Sequence, residues 1–468
     1  MLGQEDAFLL WPRDARDRFI GLVRDTTRHS PDWTARFLRW LRTATPMRYP
    51  ALAGAAAFAA ERLAAGRAGL TRQVVASVLA RADDPGLFLG YWRAVHGRAL
   101  PKPVKRGVAD AVTRLYDERA LLAHDTGHAR LAIPRTLLTM FAFPTYHGAE
   151  RFPGTYRFGD VIALVHPRAR DRRQADLFRH ALDRRHGSRA PVPASLPLVR
   201  RHRLLGGRLP GPGDPVTPAD LGLTWKRAPG MLRRPLDAGD WERLLPSMPL
   251  AEVVRCLTLL DAARIPFETA MTVASRLSDP AAVRASGLLP IRLETARKAL
   301  AHRRWAPVLE RAAAHALEAL PRIPGRTLLI LGDTSDIAVV FGLTLAQRCD
   351  GADVVTAGGR PFDLVPGESP LHGLDRWQAS DLPTTPSKAY HAVARSAFAG
   401  HDRVVIAREH HANLPDGDLD VPAPVYTWAH AGPASAERRD RLVFPNITDA
   451  AYPVIIWAEA AARGDYPF

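Results

Sequence analysis

Basic residues with the chemistry to bind a polyanion are concentrated in two stretches of the chain. Lys102, Lys105 and Arg106 lie in the run LPKPVKRG, and Arg151 and Arg157 lie in a run that is rich in aromatic residues. Lys and Arg neutralise phosphates and release counterions, which gives a salt-dependent affinity. Aromatic rings beside them can stack on unpaired bases. The rings in question are Tyr146, Phe152 and Tyr156. This combination predicts a nucleic-acid surface; the alternative is that each ring belongs to the core.

The net charge supports this prediction because it is distributed unevenly. The chain has 468 residues, with 64 Lys and Arg against 48 Asp and Glu, and a net charge of +16. Residues 101–240 hold 25 basic and 13 acidic residues, whereas residues 325–468 hold 12 basic and 18 acidic ones. Such a reversal of sign indicates that one part of the chain binds a polyanion and another does not. The alternative, a general enrichment in arginine that comes from a GC-rich genome, would make the chain basic throughout.

Short helices are predicted over residues 1–324, since several segments there begin with a capping residue and a proline. These signals are Ser30-Pro31, Asp84-Pro85, Thr217-Pro218 and Asp279-Pro280. Many short helices without a repeated consensus are typical of an irregular helical-repeat array.

The pattern changes at residue 325, where short apolar runs typical of buried parallel strands begin. These runs are 327–331, 352–355, 404–406, 425–428 and 442–444. Helical segments lie between some of them, including one predicted over 337–349. The alternation predicts a doubly wound α/β domain over 325–468, with ligand sites at the carboxyl ends of the strands. Asp333 and Glu409 would lie there.

Cysteine usage and the N-terminal sequence predict a cytoplasmic protein. The two cysteines, Cys256 and Cys349, exclude a disulfide framework and a cysteine zinc cluster. The N-terminus lacks the basic and apolar regions of a signal peptide. No segment approaches the roughly 18 apolar residues of a membrane span.

Several blocks of the sequence resemble the TROVE module of the Ro autoantigen family, in its bacterial type. These blocks are residues 100–107, residues 156–167 (YRFGDVIALVHP), residues 174–178 and residues 184–187. The order of domains agrees as well, because Ro proteins place a von Willebrand factor A-type domain after their helices. The resemblance covers roughly residues 10–460.

The resemblance implies a HEAT-like helical ring over 1–324, followed by a von Willebrand factor A-like domain over 325–468. It also implies a ribonucleoprotein with small non-coding, Y-like RNAs and with misfolded RNAs whose single-stranded ends enter a basic hole. RNA quality control or a stress response would be its role. An exonuclease or an RNA ligase is the implied partner of a monomeric protein, with no membrane involved.

The resemblance also assigns candidate residues. His166 matches an RNA-facing histidine of the family, although a histidine that ends a helix before Pro167 is the alternative. The nine candidate RNA-binding residues are Lys102, Lys105, Arg106, Arg151, Arg157, His166, Arg168, Arg184 and Arg185.

One segment departs from the family pattern. Residues 131–154 insert an apolar, proline-containing segment where the family has a short connection. The insertion could reshape the RNA surface or pack against the neighbouring helices, and the sequence leaves both alternatives open.

A metal site of the A-type domain is present only in a degenerate form. Such domains hold a divalent cation such as Mg²⁺ through oxygen ligands. Asp333, Ser335 and Glu409 match ligand positions, but Ile337 supplies no oxygen and Arg408 next to Glu409 would repel a cation. We therefore predict no cofactor, with a divalent cation, Mg²⁺, at this site as the less favoured alternative.

No catalytic motif occurs: the sequence has no GxSxG, HExxH or GxxxxGK[ST]. The sequence therefore predicts a non-catalytic RNA-binding protein. The alternative is a protein-interaction scaffold that has lost RNA binding, and a nuclease is the least favoured interpretation.

Overall fold

The computed structural model describes most of the chain. The described residues are 13–45, 47–67, 69–125, 156–188, 190–211, 213–300, 303–332, 335–380, 390–408, 421–429, 441–445 and 447–468. The chain divides into two compact units. The first comprises residues 1–235 together with Phe468, and the second comprises residues 236–467.

The described part of the first unit is helical. Its helices are α1 (Arg13–His29), α2 (Pro31–Ala44), α3 (Arg48–Ala64), α4 (Thr71–Val78), α5 (Asp84–His96), α6 (Lys102–Leu115), α7 (Glu118–His124), α8 (Phe158–Val165), α9 (Arg172–Arg185), α10 (Pro197–Leu204) and α11 (Ala228–Leu232). Neighbouring helices pack through apolar faces, as α4 does against α6 and α8 against α9.

A buried carboxylate ties four of these helices together. Asp84, at the start of α5, is fully buried and accepts hydrogen bonds from Arg42 at 3.0 Å and Arg48 at 2.7 Å. It also accepts from the backbone amides of Ala80 at 2.8 Å and Arg81 at 2.7 Å, just after α4. Four donors satisfy a charge that would be costly to bury alone. Asp84 therefore begins α5, as the Asp84-Pro85 signal predicts, and also connects α5 to α2, α3 and the end of α4.

The second unit begins with further helices and continues with a sheet. Its helices are α12 (Ala238–Leu244), α13 (Leu250–Ala262), α14 (Phe267–Ser278), α15 (Pro280–Ser286), α16 (Pro290–Ala299), α17 (Ala306–Glu318), α18 (Asp336–Ala346), α19 (Pro370–Ala379), α20 (Tyr390–Ala397) and α21 (Val454–Ala462). Its strands are β1 (Ile323–Leu331), β2 (Cys349–Thr356), β3 (Arg403–Ala407), β4 (Val425–Ala429) and β5 (Arg441–Pro445).

The five strands form one parallel sheet in the order β2-β1-β3-β4-β5. Leu329 and Leu331 face the core that includes α18, and Leu328 and Ile330 face the core that includes α20. Helices on both faces explain why the strands are continuous apolar runs. The order reverses direction between β1 and β3, which makes the carboxyl ends of these two strands the switch point of the sheet.

The predicted fold class, helical repeats with a doubly wound α/β domain, is confirmed, and all five apolar runs are strands. The predicted helix over 337–349 was wrong at its end. It stops at Ala346, because Cys349 pairs with Ile323 as part of β2. The predicted boundary between residues 324 and 325 stays a prediction, whereas the two compact units divide after Pro235.

Of the four proline signals, the one at Thr217-Pro218 does not begin a helix. Gly222 follows with a φ of +59°, which ends the segment as a turn, and the amide of Leu223 donates to the carbonyl of Pro218 at 2.9 Å. Both cysteines are buried and neither forms a disulfide bond. Within the described ranges, no helix is long and apolar enough to cross a membrane.

Candidate nucleic-acid interface

Helix α6 places the first group of candidate residues on the surface. Pro101 caps it in an extended conformation and Pro103 occupies its first turn, where a missing amide hydrogen costs nothing. Its buried positions include Val104, Val108 and Val112, which repeat every four residues on one face. Lys102 and Arg106 are therefore exposed on the other side, and Lys105 is half-buried between the faces.

A close helix contact fixes the orientation of α6. A methyl group at Gly107 would lie 2.7 Å from the carbonyl oxygen of Arg72 and 2.9 Å from the Cβ of Val75, both on α4. Only glycine allows α4 and α6 to approach this closely. The contact holds one side of α6 against α4, so that the basic side of its first two turns faces solvent.

The basic residues of α6 are not neutralised by its one acidic residue. Asp110 lies four residues after Arg106, a spacing at which opposite charges often pair. The carboxylate instead accepts two hydrogen bonds from Arg72 on α4, at 2.6 and 2.8 Å. Among the described residues, the side chains of Lys102, Lys105 and Arg106 have no hydrogen-bond or ion-pair partner.

Helix α8 positions His166 at its carboxyl end. The amide of Phe158 donates to Asp125 at 3.1 Å, and the amide of Arg157 donates to Asp160 at 3.2 Å, so the first turn is capped. His166 ends the helix with a φ of +48° and donates its amide to the carbonyl of Ile162 at 2.9 Å. The imidazole is exposed. His166 therefore ends the helix before Pro167, which is the position that the alternative interpretation of this residue predicted.

The segment that follows His166 lies against the end of α6. Thr113 of α6 donates its hydroxyl to the carbonyl of Arg168 at 2.9 Å, and Gln174 donates to the carbonyl of Thr113 at 2.9 Å. Because Lys105, Ala109 and Thr113 follow one another at intervals of four residues, they lie along one ridge of α6. At 1.5 Å per residue, about 16 Å separates the levels of Lys102 and Thr113. We use the name α6 ridge for Lys102, Lys105 and Arg106 of this helix together with His166 and Arg168, which precede or form the contact with its end.

Two other candidates are paired with carboxylates. Arg184 lies 3.2 Å from the buried Asp125, and Arg185 lies 2.7 Å from Asp160. The structure therefore does not bring these arginines into the α6 ridge as free charges. Arg157 is exposed at the start of α8. Arg151, together with Tyr146, Phe152 and the insertion 131–154, lies outside the described residues.

Sequence reasoning missed one contact beside the ridge. Arg93 of α5 donates to the Tyr156 hydroxyl at 2.7 Å, which holds this half-buried ring next to an exposed guanidinium. The sequence placed the Arg157 guanidinium beside Tyr156, but it could not reveal a partner 63 positions away in the chain.

A second missed group lies between α9 and α10. Burial lowers the pKa of His180, and the nearby Arg184 lowers it further. Burial also lowers the pKa of His202, as do Arg227 and Arg184. Arg227 donates to the carbonyl of Leu122, and burial lowers its pKa. The signal available in the sequence was the spacing of His180 with Leu177 and Ala181, which places it on the buried face of α9.

Of the three residues that match metal-ligand positions, only Ser335 lies among the described residues. Ser335 accepts a hydrogen bond from the amide of Ala338 at 3.4 Å and so caps α18, while Ile337 offers no oxygen. Arg408 is buried at the same edge of the sheet. Asp333 and Glu409 lie outside the described residues. In the part of the chain that the structure describes, no three His, Cys, Asp or Glu side chains form a group that could hold a metal ion.

Comparisons with known proteins identify the fold. Neither a protein-family model nor a curated protein matches the chain. Among solved structures, the chain is similar to the Ro (RSR) protein of Deinococcus radiodurans, with 16% sequence identity and a TM-score of 0.65. The match covers 95% of this chain and 93% of that one. The chain therefore has the fold of a bacterial Ro protein, and the resemblance expected from the sequence is confirmed at the level of the fold.

Proposed function

We propose that this chain is a non-catalytic RNA-binding protein of the Ro type, which forms a ribonucleoprotein with small non-coding, Y-like RNAs and with misfolded RNAs. Two independent lines support the proposal. One is the shared fold together with the sequence blocks that resemble the TROVE module. The other is the α6 ridge.

The α6 ridge carries the argument. Its cations are available because Arg72 occupies the only carboxylate of α6, and because no other described acidic side chain pairs with them. A free cation that meets a phosphate releases counterions, whereas a cation already paired with a carboxylate gains little. The ridge is also elongated along the helix, which suits a phosphate backbone better than a compact ligand.

The remaining parts of the proposal follow from the resemblance. RNA quality control or a stress response is the proposed role, with an exonuclease or RNA ligase as the partner and a monomeric protein in the complex. A cytoplasmic location is consistent with two buried cysteines that form no disulfide bond.

The proposal is tested with a triple variant of the ridge, Lys105→Ala with Arg106→Ala and His166→Ala. We expect at least tenfold weaker binding of a labelled oligouridylate by fluorescence anisotropy, because two or three phosphate contacts are lost. The matched control is Arg36→Ala with Arg39→Ala, which removes two exposed arginines from α2. This control should leave the affinity within about twofold of the wild type.

Unchanged binding in the ridge variant would show that the ridge is not the RNA surface. If the wild type also failed to bind RNA at low salt, the protein-interaction scaffold would be the better explanation. Shortening of the RNA during the assay would contradict the non-catalytic part of the proposal.

A further inference from the structure

A buried arginine lies at the carboxyl edge of the sheet in the second unit, and two of its guanidinium nitrogens have no acceptor among the described residues. Arg408 directly follows β3 and is only 5% exposed. Its Nε and Nη1 atoms are buried and have no hydrogen-bond partner, and no ion pair joins it to any described residue. Guanidinium groups remain charged in proteins, so this position holds a buried cation that has no counter-charge among the described residues.

Arg408 lies at the switch point of the sheet. Leu331 of β1 pairs with Ala407 of β3, and the amide of Gly332 donates to the carbonyl of Ala407 at 2.9 Å. Arg408 and Gly332 are thus the first residues beyond the two strands. In open α/β sheets, the crevice at this point is where ligands bind.

The immediate surroundings of Arg408 are compact. A methyl group at Gly332 would lie 2.7 Å from the Tyr390 hydroxyl oxygen and 3.3 Å from the Cβ of Arg408. The Arg408 Cζ lies 5.4 Å from the centre of the Tyr390 ring. The ring face stabilises the cation, but it accepts no hydrogen bond from Nε or Nη1, which have no acceptor in the described part of the chain.

Among the described residues, the charges at this edge favour an anion. Helix α18 begins four residues after Gly332, and its first turn contributes a partial positive charge. The acidic residue in that turn, Asp336, pairs with Lys298 and accepts a hydrogen bond from Gln378 at 2.8 Å. Burial lowers the pKa of Arg408, because desolvation disfavours the charged guanidinium.

We propose that the edge between β1 and β3 binds an oxyanion, a carboxylate or a phosphate group, through the Arg408 guanidinium. The site takes the place of the divalent-cation site that the family resemblance implies. The planar fork of Arg408 can donate two parallel hydrogen bonds to either group. This inference goes beyond the proposed function, and its test contains no RNA, so the two can fail separately.

Thermal unfolding of wild type and Arg408→Met tests the proposal. In a buffer with chloride as the only anion, the variant should unfold about 2–4 °C higher, because it no longer buries an unpaired charge. Sodium phosphate or sodium acetate at matched ionic strength should raise the Tm of the wild type and leave the variant unchanged. The anion that produces the larger shift distinguishes a phosphate ligand from a carboxylate ligand.

A second variant keeps the test valid if Arg408→Met does not fold. Arg408→Lys preserves the charge without the fork, and we expect it to bind phosphate or acetate at least tenfold more weakly by calorimetric titration. The matched control is Arg395→Gln, which removes an exposed arginine from α20. It should bind either anion as the wild type does.

Three results would overturn the proposal. Arg408→Met could be less stable in every buffer with no anion effect in the wild type, which would give Arg408 a purely structural role. MgCl₂ could stabilise the wild type where phosphate and acetate do not. Equal anion effects in wild type and all variants would indicate non-specific binding to the basic surface.

Discussion

Helices α6 and α9 are both basic, but they differ in whether their basic side chains pair with carboxylates. In α6, Lys102, Lys105 and Arg106 have no carboxylate partner among the described residues. In α9, most arginines are paired, and these pairs are Arg173 with Glu118, Arg179 with Asp176, Arg184 with Asp125 and Arg185 with Asp160. The density of positive charge along a sequence therefore does not define a surface for polyanions.

The difference arises from the acidic residues on neighbouring helices. Glu118 starts α7 and is buried, and it accepts from Arg173 at 3.0 Å and from the amides of Leu198 and Val199 at 2.8 and 3.1 Å. The arginine thus completes a structural connection between helices. The single carboxylate of α6 is likewise occupied, but by an arginine from α4, which leaves the ridge free.

The largest effect should follow from breaking a structural pair of α9. We expect Glu118→Ala to lower the Tm by about 6–12 °C, since it removes the acceptor for two backbone amides and for Arg173, at a cost of about 3 kcal/mol. Asp183→Ala, which removes an acidic residue without an ion pair among the described residues, serves as the control. A shift as small as that of the control would show that the α9 pairs are not structural.

The double variant Arg184→Ala with Arg185→Ala tests the comparison directly. We expect a loss of about 1–3 kcal/mol in the free energy of unfolding, because Asp125 is left buried without its arginine. RNA affinity, measured by anisotropy, should fall by less than about threefold, since these charges are already neutralised. A loss as large as that of the ridge variant would place α9 on the RNA surface.

A smaller gain of affinity should result from Asp110→Asn. The substitution frees Arg72 and removes a negative charge next to the ridge, so RNA should bind about twofold to threefold more tightly. This factor corresponds to the repulsion of about 0.5 kcal/mol between one carboxylate and one phosphate that lie several ångströms apart in water. Stability should change by less than about 1 kcal/mol, as for other exposed ion pairs. Weaker RNA binding would contradict the account.

The smallest effect concerns pH and His180 in α9. Because burial and Arg184 lower its pKa in the folded state, the unfolded chain binds more protons as the pH falls below about 6.5. The contribution of neutral His180 to the stability of the folded state is therefore present above that pH, and it is lost as the pH falls through the pKa of the folded state. His180→Gln should therefore reduce the decline in Tm on acidification, whereas His186→Gln, at the exposed end of α9, should not. An unchanged decline in His180→Gln would contradict the assignment.

Local patterns in the sequence predicted the elements well and their partners poorly. Five apolar runs predicted five strands because strands buried on both faces must be apolar. The helix predicted to reach Cys349 ends earlier, because pairing with Ile323 takes that residue into β2, and no local signal records such pairing. The signal at Thr217-Pro218 was wrong because Gly222 ends the segment as a turn.

The same limit applies to the candidate site. The basic residues of α6 were assigned through the family resemblance, but the pairing of Arg184 and Arg185 depends on acids 59 and 25 positions away in the chain. Arg408 was identified only as a charge that would repel a metal ion. Its burial and its unsatisfied N–H groups depend on the packing of β1, β3 and α20.

The salt dependence of RNA binding tests the central claim most directly. For wild type and Lys105→Ala with Arg106→Ala, the logarithm of the association constant is plotted against the logarithm of salt concentration between about 50 and 200 mM. If both residues contact phosphates of a single strand, the slope of the double variant is shallower by about 1.4. Parallel lines for the two proteins would contradict the claim that the free cations of α6 bind the RNA.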